Sequence, residues 1–90
     1  MNITATVGKK VQLWCPGYTR HGNVIWWKEV SGSSERVVFG GVMQRKFEDQ
    51  MSFLDGSLVI NEAKVNDSGL YWCSVGFKVS EIYLSVLGKF

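Results

Sequence analysis

Asp67-Ser68-Gly69-Leu70-Tyr71-Trp72-Cys73 is the stretch on which the reading of this chain turns. Its last residue has a single counterpart, Cys15, far upstream. A tryptophan pair, Trp26-Trp27, follows Cys15, and Tyr71 stands two residues before Cys73. Each residue type is common alone; the ordered set at this spacing is a strong signal. An even, widely spaced cysteine pair fits one disulfide, Cys15 to Cys73. In the chain-entropy model, closing a loop this long contributes about 4 kcal/mol, less any strain. Such a bond implies an oxidising compartment, hence a secreted or cell-surface protein. Two free thiols in a reducing compartment would leave the surrounding tryptophan and tyrosine unexplained.

On either side of this stretch, short alternating runs are separated by polar turns. The chain has 10 glycines, 1 proline and no apolar period of helical length. That pattern predicts an all-β sandwich. Val11, Leu13 and Cys15 share an inward face, with Gln12 and Trp14 outward. Pro16 to Asn23 reads as a loop. Val24 and Trp26 then point inward, and Ile25, Trp27 and Glu29 outward. Ser31 to Ser34 is a turn, Arg36 to Phe39 a strand, and Gly40-Gly41 breaks it. A short strand is expected around Phe47, within Gln44 to Ser52. Asp55-Gly56 is a hairpin signal, followed by a strand from Ser57 to Asn61 with Leu58 and Ile60 inward. Glu62 to Ser68 is a turn. Tyr71 and Cys73 face in while Leu70 and Trp72 face out. Ser74 to Ser80 reads as a short loop, and Glu81 to Val86 closes the sheet with Ile82, Leu84 and Val86 inward.

Cysteine, tryptophan, then tyrosine and cysteine in this order resemble the skeleton of a V-set immunoglobulin-like domain, from Val7 to about Val86. The resemblance implies two antiparallel sheets joined by the Cys15–Cys73 disulfide, with Trp26 packed on the bridge and Tyr71 forming a corner. It also implies a structural ion pair. Counting back from Cys73 sets Lys46 against Asp67, a place where the family more often has arginine. Lysine lacks the bidentate fork, so the pair is expected to be weak, and Arg45 competes for the role.

Residues 1–90 are read as one small domain, for which a disulfide staple is useful. The net charge is +2, and the 10 basic residues are scattered, with only Lys9-Lys10 and Arg45-Lys46 adjacent. That is a solvated surface rather than a nucleic-acid footprint. No apolar run has the length of a membrane span and no signal peptide is visible. Met1 is read as the start codon of a piece cut from a longer receptor, with signal, stalk and membrane anchor removed. Asn2-Ile3-Thr4 and Asn66-Asp67-Ser68 are glycosylation sequons, and Asn66 is equally a turn residue.

Catalysis needs a converging nucleophile, base or metal cluster. The single histidine, His21, lies in a loop without a second histidine. No phosphate loop, nucleophile elbow or zinc spacing is present. The expectation is a non-enzyme with no cofactor, no metal and no small-molecule substrate.

Outward aromatics are the sharper clue. Trp27, Trp72 and Tyr83 are expected on one sheet face, joined by Phe39 or Val38, with Glu29 in their midst. Such a patch points to pairing with a second copy, and the V-set family commonly pairs through this sheet. Three loops at one end form the other candidate surface. The first carries Tyr18, Arg20 and His21, the second Gly41, Val42 and Met43, and the third Phe77, Lys78, Val79 and Ser80.

The last strand lacks the Phe-Gly-X-Gly bulge of antigen receptors. Val24-Ile25-Trp26-Trp27-Lys28-Glu29-Val30, the following Ser31-Gly32-Ser33-Ser34-Glu35, and the tail from Cys73-Ser74-Val75 to Ile82-Tyr83-Leu84-Ser85 resemble the alpha chain of the cytotoxic T-cell coreceptor. That resemblance implies a cell-surface homodimer whose loops bind MHC class I, with Lys9 and Lys10 as candidate basic contacts. Tyr71-Trp72-Cys73 is also similar to the polymeric immunoglobulin receptor and paired myeloid receptors, although their usual second disulfide is excluded by the cysteine count. The helper T-cell coreceptor and homophilic adhesion modules are the other readings.

Overall fold

The computed structural model describes residues 1–18 and 23–88. Nine strands occupy this span: β1 (Asn2–Thr6), β2 (Val11–Leu13), β3 (Val24–Val30), β4 (Ser33–Phe39), β5 (Val42–Met43), β6 (Met51–Leu54), β7 (Ser57–Ile60), β8 (Gly69–Val75) and β9 (Lys78–Leu87). They form a six-stranded sheet in the order β1-β9-β8-β3-β4-β5 and a three-stranded sheet in the order β2-β7-β6. All pairings are antiparallel except β1 with β9, which runs parallel from Asn2–Tyr83 to Thr6–Leu87.

Alternation explains most of this arrangement. Along β9, Ile82, Leu84 and Val86 are buried and Glu81, Tyr83, Ser85 and Leu87 exposed. Along β2, Val11 and Leu13 are buried while Gln12 and the following Trp14 are exposed. One side of each strand therefore faces the other sheet and the opposite side faces water. Strand β7 departs from the rule, because all four of its residues are buried. It is the central strand of its sheet, and Val59 lies between Gln12 and Ser52, which cover its outward side.

Trp26 fills the space between the sheets beside the Cys15–Cys73 disulfide, and both Trp26 and Cys73 are fully buried. Its indole N–H donates to the carbonyl of Gly56 at 3.0 Å, so the largest core side chain leaves no polar atom unpaired. Asp55 and Gly56 have φ of 47° and 84°, the left-handed pair that a two-residue hairpin turn requires. A Cβ on Gly56 would stand 2.6 Å from the ring of Tyr18. Tyr18 also donates to the Asp55 carboxylate at 3.2 Å, so the start of the β2–β3 loop is fastened to this turn.

Tyr71 is fully buried, and its hydroxyl donates to the carbonyl of Asp67 at 2.6 Å. The Asp67 carboxylate accepts from the backbone N–H of Lys64 at 2.8 Å, closing the short 3-10 turn Val65–Asp67. Burial, with a smaller contribution from the charge of Asp67, raises the Tyr71 hydroxyl well above its ordinary 10.0.

The expected ion pair between Lys46 and Asp67 is not formed. Residues Arg45–Phe47 make a 3-10 turn rather than a strand. That turn buries Phe47 and sends Lys46 to the sheet edge, where its ammonium donates to both Glu35 carboxylate oxygens at 2.9 and 2.8 Å. Lys28 faces Asp67 instead, at 3.9 Å, with its ammonium 5.6 Å from the centre of the Tyr71 ring. Inward alternation along β3 runs Val24, Trp26, Lys28, and this puts a lysine where the core meets the Asp67 turn.

Two further expectations need revision. The strand of this region is β6, which follows the Phe47 turn instead of containing it. The expected loop from Ser74 to Ser80 shrinks to a two-residue turn, Gly76-Phe77, because Val75 pairs directly with Lys78.

Candidate functional site: the outer face of the six-stranded sheet

Side chains that the core does not use collect on the outer face of the large sheet. The central row runs straight across four strands: Arg36 on β4, Trp27 on β3, Trp72 on β8 and Glu81 on β9, each opposite the next. Toward the loop end, Ile25, Ser74 and Val79 form a second row. On the other side, Ser34 pairs with Glu29, and Leu70 pairs with Tyr83.

A β-bulge determines the first of these placements. Trp26 pairs with Val38 and Trp27 with Arg36, so Val37 has no opposite residue. Val37 and Val38 are both fully buried. The extra residue shifts the alternation of β4, and Arg36 rather than Val37 reaches the outer face beside Trp27.

Trp27 and Trp72 are a direct cross-strand pair, an arrangement that stabilises a sheet and also leaves two indoles half exposed. They line an open apolar depression of about 250 Å³ with Ser34 and Val79. Phe39 and Tyr83 are each 49% exposed at its flanks, and Val79 is 65% exposed. The Arg36 guanidinium stacks 4.6 Å from the centre of the Phe39 ring. Tyr83 donates to the Glu81 carboxylate at 3.2 Å. That hydrogen bond, the charge of Glu81 and a smaller contribution from Glu29 raise the Tyr83 hydroxyl above its ordinary value.

The structure thus sets Trp27, Glu29, Phe39, Trp72 and Tyr83 on one face. The expected loop residues are distributed differently. Tyr18 is packed on the β6–β7 turn. Gly41 is a turn residue, Val42 and Met43 form β5, and Lys78, Val79 and Ser80 lie in β9. Val79 therefore belongs to the sheet face, while the Lys78 stem lies against Gly17, where a Cβ would be 3.4 Å from its Cδ. Phe77 stands fully exposed at the tip of its turn. Arg20 and His21 lie outside the described residues. Asn2 is exposed on β1, and Asn66 is exposed in the Val65–Asp67 turn.

Sequence reasoning missed Arg36, Val79, Glu81 and Ser34 on this face. Alternation from Tyr83 could have found Glu81 and Val79. Arg36 depends on the bulge, which leaves no local mark. At the opposite end of the sandwich, Asp49, Gln50, Asn61, Glu62, Lys64 and Asp67 line a polar cleft of about 120 Å³. Among the described residues no group of three or more His, Cys, Asp and Glu side chains is placed to hold a metal.

The sequence matches the immunoglobulin V-set domain family over residues 1–86. This chain is a V-set domain. A search of curated protein sequences finds no relative. Solved structures share the V-set domain's fold. The extracellular domain of the voltage-gated sodium channel beta4 subunit, described as a parallel homodimer that explains cell-cell adhesion, superposes with a TM-score of 0.74 at 22% identity, over 100% of this chain and 87% of that one. The N-terminal four Ig domains of Dscam1 isoform 1.9 match with a TM-score of 0.75 at 24% identity, over 98% of this chain. A Dscam structure addressing isoform specificity matches with a TM-score of 0.72 at 26% identity, over 94% of this chain. The V-set domain spans 22% of each of these two Dscam chains.

Proposed function

We propose that this V-set domain is a non-catalytic, extracellular recognition module that pairs with a second copy of itself through the outer face of the six-stranded sheet. The Trp27–Trp72 pair carries the proposal. Two half-exposed indoles, extended by Phe39, Val79 and Tyr83, make a contiguous apolar surface that a soluble monomer rarely leaves open. Aromatic side chains of this kind supply much of the energy of protein contacts. The core and the disulfide hold the sheet beneath them rigid, so little ordering would be needed on pairing. The extracellular assignment rests on the Cys15–Cys73 disulfide and fits the homophilic, adhesive setting of the sodium channel beta4 domain.

A direct test flows the oxidised domain over immobilised copies of itself. Saturable binding is expected, and Trp27→Ala with Trp72→Ala on either side should abolish it. Unchanged binding by the double variant would refute the face.

Recognition of a different ligand by the loop end is the second reading, favoured by fully exposed Phe77 in the β8–β9 turn, with exposed Val79 close to it in sequence. An MHC class I molecule, the ligand that the coreceptor resemblance implies, is the first partner to try there. Phe77→Ala should weaken that binding without changing self-association; undiminished binding would count against this end.

A further inference from the structure

The central row of the outer face has a polarity that selects how two copies meet, an inference that rests on the pairing proposed above. The row reads Arg36, Trp27, Trp72, Glu81, with a cation at one end, an anion at the other and two indoles between them. Among the described residues neither Arg36 nor Glu81 takes part in an ion pair; those present join Lys28 to Asp67 and Lys46 to Glu35. Both end charges are exposed, and each is steadied by an aromatic neighbour: Arg36 lies on Phe39, and Glu81 accepts from Tyr83.

A two-fold pair that sets one face against its own copy has its axis in the plane of contact. Two directions are natural for a sheet. With the axis along the strands, between β3 and β8, the two ends of the row exchange. Arg36 then faces Glu81 of the second copy, twice by symmetry, and Trp27 faces Trp72. In the neighbouring row Glu29 is set toward Leu70 of the second copy, so no like charges meet. With the axis across the strands, along the row, each residue meets itself: Arg36 on Arg36 and Glu81 on Glu81. Like charges held together at a contact are strongly unfavourable, and opposite charges fix the register.

We propose that two copies pair side by side and parallel, with Arg36 of each against Glu81 of the other and the tryptophans between them. The geometry tolerates the usual rotation between packed sheets. Arg36 lies about 7 Å from such an axis, one and a half strand spacings. A rotation of roughly 30° between the sheets displaces facing positions by about 4 Å there, which an arginine side chain spans. The β4 bulge is essential to this arrangement, because without it Val37 would occupy the end of the row. Both loop ends, each with its Phe77, would then point the same way.

The experiment is a charge exchange read by native mass spectrometry and light scattering on the whole oxidised domain. Arg36→Glu alone and Glu81→Arg alone should each weaken self-association by roughly tenfold or more. An equimolar mixture of the two variants should form a heterodimer at least as readily as the wild type pairs, because both contacts are then complementary again. That recovery also shows that each variant is folded. A wild-type dimer whose two variants fail to recover on mixing would overturn this register while leaving the pairing face intact. Single variants that each pair as readily as the wild type would indicate the crosswise axis, in which every residue already meets its own copy, and would overturn it too. A wild-type protein that stays monomeric would remove both the register and the pairing on which it rests.

Discussion

The Tyr71 hydroxyl donates to the Asp67 carbonyl at 2.6 Å inside a site where the Asp67 carboxylate caps the backbone of Lys64 and faces Lys28 at 3.9 Å. A single buried tyrosine therefore ties the turn before β8 to the strand itself, directly beneath the outward-facing Trp72. Replacing it by phenylalanine removes the donor and leaves a buried carbonyl unpaired. Tyr71→Phe is expected to cost about 1–3 kcal/mol of stability in urea denaturation.

The same tyrosine gives an alkaline limit. Its folded-state pKa is raised above the ordinary 10.0, so below that pH it is protonated in both states and its contribution is complete. Above pH 10 the unfolded chain loses the proton first, and stability falls as pH rises. Denaturation midpoints between pH 9 and 11 should drop more steeply for the wild type than for Tyr71→Phe; parallel profiles would contradict this.

The two lysines offer a contrast in burial. Lys28 is 13% exposed at its side chain and Lys46 is 63% exposed. Lys46→Ala removes a surface pair and should change stability by less than about 1 kcal/mol. Lys28→Ala leaves Asp67 facing the core without its cation and should cost about 1–3 kcal/mol. Thermal melts of the two variants side by side check the order.

Gly56 and Gly32 share nearly the same backbone, with φ of 84° and 83°, but only Gly56 meets a side chain. Alanine at either position incurs the left-handed penalty of about 1–2 kcal/mol. Gly56→Ala must in addition displace Tyr18 from the Asp55 turn. Its loss of stability should exceed that of Gly32→Ala, and tyrosine fluorescence should report a loosened ring.

Much of the sandwich was legible because it is written in single residues. Trp26, Tyr71 and the two cysteines have one role each in this fold, and Asp55-Gly56 names its turn. Alternation alone fixed the inward set of β9. What escaped depends on register between distant segments. The bulge at Val37 arises only when β4 is laid against β3, and two adjacent valines in a strand give no hint that both turn inward. Counting back from Cys73 points to Lys46 as the partner of Asp67, whereas alternation along β3 turns Lys28 inward toward it. The short β8–β9 turn was hidden because Lys78, Val79 and Ser80 suit a loop as readily as a strand. Of the two charged ends of the outer row, Glu81 follows from alternation with Tyr83, whereas Arg36 takes its place only through the bulge.

Self-pairing through the Trp27–Trp72 face is the central claim, and solution mass by light scattering across a concentration series tests it most directly. The oxidised wild-type domain should pass from monomer to dimer as concentration rises, while Trp27→Ala with Trp72→Ala remains monomeric throughout with its fold intact. A wild-type domain that stays monomeric at every concentration, or a double variant that dimerises as the wild type does, would contradict the account.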